Sequence, residues 1–235
     1  MKLSRKLCAV VPVKEAVHAK QRLAPVLSPA QRAQLAHAML EDVLSALASM
    51  ASGLASILVV TVDRTAADIA TRYGAQVTAE QADAGHTAAV SAAAARLDAG
   101  GLDMLALPAD IPLVQSDDIR HLLAIHADAV DRGARGFGIV PARDERGSNA
   151  VICSPAGAVP LRFGDDSFLA HLAAAQACGL DPVIARLPRI ALDIDRPDDL
   201  ANLLAIEART RTHALLRRWY DGGRAALSAF DVTST

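Results

Sequence analysis

One aspartate stands where ligand-binding loops usually lie in α/β proteins. Asp110 follows the apolar run Asp103–Leu107, which is typical of a strand buried on both faces of a parallel sheet. Pro108 and Pro112 flank Asp110, and since proline can neither extend a central strand nor occupy a helix interior, Asp110 must lie on a tight loop past the strand's carboxyl end. Ligands bind at that edge of open α/β sheets. We therefore expect Asp110 to hold a divalent cation; the alternative is a capped turn or helix, because aspartate often serves turns.

Basic side chains occupy another loop of the same kind. Lys14, Lys20 and Arg22 follow the apolar run Leu7–Val13, which predicts the first strand. In a doubly wound sheet this loop meets Asp110 at one edge, and cations facing carboxylate-bound Mg²⁺ suit a nucleoside triphosphate. The loop has neither a P-loop nor a Gly-rich dinucleotide fingerprint. Solvated surface charge is the alternative interpretation.

Further carboxylates occur near the carboxyl end of the chain. Asp193 and Asp195 alternate with Leu192 and Ile194, and in an extended chain this spacing puts both aspartates on one face. Either could supply a second metal ligand. Because Asp195 closely precedes Pro197, it has the pattern of a helix N-cap, and Asp193 is slightly favoured as the ligand.

Composition excludes several classes of function. The 235 residues can form one large α/β domain. A net charge of −2 and only 3% aromatic residues argue against non-specific nucleic-acid binding. Cys8, Cys153 and Cys178 lack C-x-x-C spacing, and no apolar run reaches membrane-spanning length. Because the basic start Met1–Lys6 lacks a cleavage site, we expect no signal peptide. We expect a cytoplasmic protein without a membrane or nucleic-acid partner; a homodimer is compatible with the sequence.

The elements that must position these residues alternate between strand and helix. Strands are predicted at Leu7–Val13, Ser56–Thr61, Ala75–Thr78, Asp103–Leu107, Gly136–Pro141 and Asn149–Cys153, with short extended pieces at Pro182–Leu187 and Ile190–Leu192. Helices are predicted from Ser28 to about Met50, at Thr65–Tyr73 and Thr87–Ala99, from Ser116 to about Asp131, at Phe168–Cys178, from Asp195 to about Arg209, and within Thr210–Thr235 ahead of a polar tail. This order predicts a three-layer α/β/α sandwich, whose mostly parallel sheet gains an antiparallel edge from the pair around residues 136–153. We expect a single domain at 1–209 followed by a helix and tail at 210–235.

Five stretches in series resemble one family of nucleotidyltransferases. They are P-V-K-x-x-x-x-A-K-x-R-L at Pro12–Leu23, L-P-A-D-I-P at Leu107–Pro112, G-S-N-A at Gly147–Ala150, F-G-D-D-S-F at Phe163–Phe168 with His171, and L-D-I-D-R-P-D-D-L at Leu192–Leu200. Each alone is a weak signal, but their order and spacing are similar to those of the 2-phospho-L-lactate guanylyltransferases (CofC/FbiD) of coenzyme F-420 biosynthesis. The resemblance extends from Val10 to about Leu204.

The resemblance implies a Rossmann-like, GT-A-like nucleotidyltransferase fold and a reaction. GMP would pass from GTP to a phosphorylated three-carbon acid, 2-phospho-L-lactate or a close analogue, with release of pyrophosphate. The implied catalytic residues are Lys20, Arg22 and Asp110; the nucleotide-binding residues are Lys14, Lys20, Arg22, Gly85, His86, Thr87 and Asp110; the acceptor-binding residues are Ser148, Gly164 and Ser167; and the Mg²⁺ ligands are Asp110 with Asp193 or Asp195. Ser167 would also begin a helix whose first-turn amides face the acceptor.

The chain departs from the family pattern at three places, one of which is the C-terminal extension beyond Arg209, which falls outside the resemblance and is assigned no role. His86-Thr87 stands after Gly85 where the family has Leu-Asn, which leaves the choice of base open, and Ser148 replaces threonine but keeps the hydroxyl. His86 and His171 are expected to pack or hydrogen-bond rather than catalyse. Two alternatives stay open: the same chemistry on phosphoenolpyruvate or 3-phosphoglycerate, and a non-catalytic module that binds GTP without turnover.

Overall fold

Strand and helix alternate along the chain in the predicted order. The computed structural model describes residues 5–50, 53–130 and 135–221. Its strands are β1 (Leu7–Pro12), β2 (Ser56–Val60), β3 (Gln76–Thr78), β4 (Asp103–Ala106), β5 (Gly136–Pro141), β6 (Ser148–Ser154) and β7 (Val183–Ile184). Its helices are α1 (Pro29–Ala48), α2 (Arg64–Arg72), α3 (His86–Ala99), α4 (Ser116–Val130), α5 (Ser167–Ala177), α6 (Pro188–Ala191), α7 (Pro197–Ala205) and α8 (Arg211–Asp221). The predicted tail after residue 221 lies outside the described residues.

The strands form one sheet in the order β3-β2-β1-β4-β6-β5-β7. β1 pairs in parallel with β2 and β4, β2 with β3, and β5 with β7, whereas β6 runs antiparallel to β4 and β5. The mostly parallel sheet with an antiparallel pair is therefore confirmed, with the reversed strand lying inside the sheet. Because β6 is reversed, its first residues, Ser148 and Asn149, lie at the edge where β1 and β4 end.

Alternation along β1 divides the core between two faces. Leu7 and Val11 pack with residues of α1, α2 and α4, while Cys8 and Val10 pack with residues of α3 on the other face. α5 covers the β5–β6 end of that second face through Phe168. Helices thus lie on both sides of a sheet that is apolar on both faces, which confirms the three-layer sandwich.

A further apolar group lies beneath the loops at the carboxyl ends of the strands, and we call it the floor cluster. Its buried members are Leu23, Leu27, Leu35, Met39, Leu113, Leu192, Ile194, Leu200, Leu203 and Leu216. Leu216 brings α8 into this core. The buried Asp42 of α1 fastens α8 by accepting hydrogen bonds from the amides of Arg211 (2.8 Å) and Thr212 (3.0 Å). The domain boundary at Arg209 stays a prediction, although α8 shares a core with the preceding helices.

Local signals set most element boundaries correctly. The predicted cap at Ser28 is confirmed, because its hydroxyl accepts the Gln31 amide (3.3 Å) and Pro29 holds the first helical position. The prediction of an extended piece at Ile190–Leu192 is wrong, since residues 188–191 form the short helix α6. Pro188 occupies the first position of this helix, where proline favours a helical start. The helix predicted from Asp195 to about Arg209 is also wrong at its far end. α7 stops at Ala205 and α8 starts separately.

The structure also shows the state of the cysteines and whether any helix could span a membrane. Cys8 and Cys153 are buried and Cys178 is half-buried, and each is a free thiol. In the described ranges, no helix combines the length and the apolar character needed to cross a bilayer.

Candidate active site

An open cleft of about 1130 Å³ lies where β1 and β4 end and β6 begins. Every predicted site residue lines it: Lys14, Lys20, Arg22, Gly85, His86, Thr87, Asp110, Ser148, Gly164, Ser167, Asp193 and Asp195. Ligand pockets commonly measure about 300–1,000 Å³, so this cleft has room for a nucleotide and a second small molecule. The structure thus brings these residues together, and their roles in binding stay predictions.

Lys20 is the centre of the charged half of the cleft. It lies between two 3₁₀ turns (Ala16–His18 and Gln21–Leu23) in a left-handed conformation, with φ 53° and ψ 39°. Only 8% of its side chain is exposed. Its Nζ donates to Asp110 Oδ2 (2.5 Å) and to Asp195 Oδ1 (2.7 Å), so the ammonium bridges two carboxylates from distant loops.

Arg22 lies at the mouth of the same half. Its side chain is 59% exposed, and its Nη1 is 3.8 Å from Asp195 Oδ2. Lys14 is exposed on the loop that leaves β1. The exposed cations therefore face the opening, whereas the buried Lys20 neutralises the carboxylates behind them.

The electrostatics of this half follow from burial and proximity. Burial alone would lower the pKa of Lys20, but the negative charges of Asp110 and Asp195 outweigh it and raise that pKa. Burial opposes ionisation of Asp195, yet Lys20 and then Arg22 hold the pKa of Asp195 below its usual value. The pKa of Asp193 is raised, first by burial and then by the charges of Asp110 and Asp195. The cluster therefore keeps Lys20 and Asp195 ionised at neutral pH.

One of the two carboxylate oxygens of Asp110 makes no hydrogen bond among the described residues. This oxygen, Oδ1, is buried. The Ile194 amide donates to the Asp110 carbonyl (3.0 Å), which ties the Asp193–Asp195 segment to the Asp110 loop. Buried oxygens are normally satisfied, so this one is an unused ligand position in the cleft.

The three aspartates suit a hard divalent cation, which prefers oxygen ligands. As the described side chains stand, no three His, Cys, Asp or Glu residues form a ready-made metal cage. The ammonium of Lys20 lies between Asp110 and Asp195 instead. Asp110 has an oxygen without a hydrogen-bond partner, and its charge acts on Asp193 together with that of Asp195. These nearby carboxylate oxygens are what fits the three aspartates to a metal ion.

The structure corrects the N-cap role predicted for Asp195. The N-cap of α7 is Arg196, and Asp199 accepts the amides of Asp195 (3.2 Å) and Arg196 (2.8 Å). Asp199 thus does the capping from within the first turn, and Asp195 is left free to bind Lys20. Asp193 was favoured as metal ligand only because Asp195 was expected to cap α7. Since Asp195 does not cap α7, the choice between the two aspartates stays a prediction.

Ser148 and Ser167 line the neutral half of the cleft, and the buried His171 contacts Ser148. Ser148 Oγ is 3.0 Å from His171 Nδ1, and Ser167 Oγ is 3.2 Å from Ser148 Oγ. The Arg162 amide donates to His171 Nε2 (3.0 Å). Ser167 and His171 are buried and Ser148 is half-buried; Ser148 and Ser167 line the cleft, whereas His171 does not.

The amides at the start of α5 do not match their predicted role. The amide of Ser167 donates to the Gly164 carbonyl (3.2 Å), and the amide of Phe168 donates to the Arg146 carbonyl (3.0 Å). The prediction that the first-turn amides face an anion is wrong for these two, because carbonyls of the preceding loop and of the β5–β6 loop accept their hydrogen bonds. The hydroxyl groups of Ser148 and Ser167 lie at this end of the cleft.

Thr87 joins the start of α3 to the loop that precedes α5. Its Oγ1 accepts the Phe163 amide (2.9 Å) and donates to the Phe163 carbonyl (3.1 Å). The ring of His86 stacks at 4.5 Å from that of Phe163, and burial lowers the pKa of His86 to about 4. Because the hydroxyl proton of Thr87 is used within the protein, contact of Gly85–Thr87 with a nucleotide stays a prediction.

Sequence reasoning assigned no role to Asn149, which also lines the cleft. Asn149 donates from Nδ2 to Asp193 Oδ1 (2.9 Å) and to the Ile190 carbonyl (3.0 Å), so it orients a candidate metal ligand. Asn149 belongs to the G-S-N-A stretch, where only the serine was assigned a role. Its signal was a polar side chain at the start of a buried strand, since buried amides need partners.

Comparisons with known proteins decide the family. A family model described as "Guanylyl transferase CofC like" matches residues 7–220. This chain belongs to the CofC guanylyltransferase family. The match reaches further than the predicted resemblance, because it includes nearly all of α8.

Curated CofC relatives carry the names of several acceptors. A phosphoenolpyruvate guanylyltransferase of Roseiflexus castenholzii is 37% identical over 91% of this chain and 95% of its own length. A 3-phospho-D-glycerate guanylyltransferase of Colwellia psychrerythraea is 36% identical over 88% of this chain and 94% of its own. A 2-phospho-L-lactate guanylyltransferase of Methanothermobacter thermautotrophicus is 30% identical over 91% of each.

Solved structures with the same fold support the architecture. A protein of Desulfovibrio desulfuricans G20, provisionally named a nucleotide-diphospho-sugar transferase, has a TM-score of 0.74 at 20% identity and covers 99% of this chain and 100% of its own. A nucleotidyl transferase of Methanothermobacter thermautotrophicus has a TM-score of 0.55 at 18% identity and covers 91% and 99%. The nucleotidyltransferase fold is thereby confirmed.

Proposed function

We propose that this CofC protein transfers GMP from GTP to a phosphorylated three-carbon acid and releases pyrophosphate. The observation that carries the proposal is the division of one cleft into two different halves. Lys20, Asp110 and Asp195 make a charged half suited to a metal-bound triphosphate. Ser148 and Ser167 make a neutral half that offers hydroxyl donors to a second anion.

The acceptor class follows from the names of the relatives. Phosphoenolpyruvate, 3-phosphoglycerate and 2-phospho-L-lactate each combine a phosphate with a carboxylate on a three-carbon skeleton. The relatives named for phosphoenolpyruvate and 3-phosphoglycerate are 37% and 36% identical to this chain, so sequence identity does not favour either acid over the other. The relative named for 2-phospho-L-lactate is 30% identical. The proposal therefore covers the three acids, and a role in coenzyme F-420 biosynthesis is proposed with it.

The chemistry needs little from acid–base groups. The acceptor phosphate is anionic at neutral pH, so one of its oxygens attacks the α-phosphorus of GTP directly while the bond to the β-phosphate oxygen breaks. The difficulty is repulsion, since two like unit charges about 4 Å apart cost about 4 kcal/mol at an effective dielectric constant near 20. Lys20, Arg22 and Lys14 line the cleft and would offset that repulsion and hold the triphosphate in line.

Asp110 together with Asp193 or Asp195 would hold Mg²⁺. When bound, the ion supplies positive charge that neutralises the phosphate oxygens during transfer. Asn149 keeps Asp193 oriented toward the cleft through its 2.9 Å hydrogen bond. The contact between the Ile194 amide and the Asp110 carbonyl keeps the two carboxylate-bearing segments in register.

The test is a substrate panel with the full-length protein. GTP and MgCl₂ are mixed with each of the three acids in turn, pyrophosphate release is followed, and the guanosine diphosphate ester is identified by mass. We expect release that depends on Mg²⁺ and on at least one acid, with ATP and CTP giving less. GTP binding without release, with any of the acids, would instead support the non-catalytic module.

A further inference from the structure

We propose that His171 is a positioning residue that fixes the hydroxyl of Ser148 as a hydrogen-bond donor to the anionic acceptor. The proposal rests on the proposed function of the cleft. His171 lies on α5, is fully buried and does not line the cleft. Its influence must therefore pass through Ser148, which does line it.

The protonation of His171 follows from its neighbours. Its Nε2 is 3.0 Å from the Arg162 amide, and an amide N–H can only donate, so Nε2 must be the unprotonated nitrogen. Burial lowers the pKa of His171 to about 4, with a backbone hydrogen bond at Ser167 opposing the shift and His86 adding to it. The ring is therefore neutral near pH 7, and its single proton must be on Nδ1.

The direction of the remaining hydrogen bonds follows in turn. Because Nδ1 carries the proton, it donates to Ser148 Oγ across 3.0 Å. Each of the two serine hydroxyls carries one proton, and one of these two protons makes the 3.2 Å hydrogen bond between Ser167 and Ser148. The other proton has no acceptor within this group. Ser167 Oγ is the donor in that bond and Ser148 Oγ the acceptor, so the proton of Ser148, which lines the cleft, is the one available to a ligand.

The opposite tautomer would reverse this result. An unprotonated Nδ1 would accept the proton of Ser148, and Ser167 would donate to Ser148, which would leave no hydroxyl proton for a ligand. A phosphate or carboxylate only accepts hydrogen bonds. The neutral half thus binds an anion because the Arg162 amide selects the Nδ1–H form of His171.

Two substitutions separate this role from packing. In His171→Asn the side-chain amide can replace the Nδ1 donor, whereas in His171→Gln it can reach the Arg162 amide but no longer donates to Ser148, which keeps only its bond from Ser167. We expect His171→Gln to raise the KM for the acid about tenfold, as for loss of a hydrogen bond to a charged group. The KM for GTP should stay within about twofold, and His171→Asn should restore most of the affinity for the acid. Equal effects of both variants on both substrates, or no effect of either, would overturn the proposal.

A spectroscopic measurement on the unmodified protein is independent of folding defects in the variants. Imidazole ¹⁵N NMR of histidine-labelled, full-length protein should show His171 with a protonated Nδ1 and an unprotonated Nε2 near pH 7. Protonation at Nε2 would overturn the proposal even if the enzyme is active. Conversely, if no acid supports pyrophosphate release, the proposed function fails while the spectrum still reports the tautomer.

Discussion

The two halves of the cleft hold their ligand-facing groups by different physical means. In the charged half, Lys20 neutralises Asp110 and Asp195 across distances of 2.5 and 2.7 Å, and the three residues come from distant loops. In the neutral half, Ser148 and Ser167 are oriented by the buried imidazole of His171. The charged half depends on balance between ions, whereas the neutral half depends on the direction of a few hydrogen bonds. Losing a charge should therefore affect transfer far more than losing a hydroxyl.

The largest effect is expected from Asp110→Asn. The substitution keeps the shape of the side chain but removes the charge and the unused carboxylate oxygen, so the rate of pyrophosphate release should fall about 1,000-fold, as for several kcal/mol of lost charge stabilisation. Circular dichroism should show an unchanged fold. The control is Asp117→Asn on α4, whose carboxylate is exposed and pairs with Arg120 away from the cleft. Near-normal activity in folded Asp110→Asn would contradict the proposed role.

Lys20→Met should give the next largest effect and a second readout. Transfer should fall about 100-fold, since Lys20 would contact the triphosphate. Removing the ammonium also leaves Asp110 and Asp195 without their shared counter-charge. Mn²⁺ titrated without nucleotide and followed by electron paramagnetic resonance should therefore bind more tightly to the variant than to the wild type. Equal or weaker Mn²⁺ binding would show that these carboxylates are not the metal site.

Hydroxyl deletions should give smaller effects, confined to one substrate. Ser148→Ala should raise the KM for the acid about tenfold, because its proton faces the ligand, and Ser167→Ala about threefold, because it acts through Ser148. The KM for GTP should change little in both. Steady-state kinetics with each substrate varied in turn measures this. An effect of Ser167→Ala confined to GTP would move that residue to the nucleotide half.

Thr87→Val should have its main effect on stability. The variant keeps the side-chain shape but leaves the amide and carbonyl of Phe163 without their partner, so the free energy of unfolding should fall by about 1–3 kcal/mol. The matched control is Thr71→Val on α2, where the exposed hydroxyl only donates back to the Ala67 carbonyl. Urea unfolding of both variants gives the comparison, and similar losses in the two would mean that Thr87 does not fasten the Phe163 loop.

Sequence reasoning predicted the frame of the cleft because short-range signals determine it. A buried apolar run interrupted by proline was enough to place Asp110 past β4, and alternation was enough to bury Leu192 and Ile194 in the floor cluster. The same alternation leaves Asp193 and Asp195 in the cleft. These inferences use neighbours within a few residues, where steric rules and periodicity are strong.

The remaining features depend on contacts between residues far apart in the chain. Asp195 was predicted as an N-cap because its partner Lys20, 175 positions away, was invisible to local reasoning. Asn149 meets Asp193 across 44 positions, and His171 meets Ser148 across 23. The left-handed conformation of Lys20 gave no sequence signal, since such a conformation favours glycine or asparagine.

The floor cluster has a consequence for the far end of the chain. Its members include chain neighbours of several charged groups in the cleft: Leu23 beside Arg22, Leu113 after the Asp110 loop, and Leu192 and Ile194 around Asp193. Leu216 of α8 packs in the same cluster, and Asp42 anchors that helix by its first amides. Ending the protein at Arg209 should therefore take away part of the support under the loops proposed to bind phosphate and weaken catalysis from a distance, without removing any residue proposed to touch a substrate.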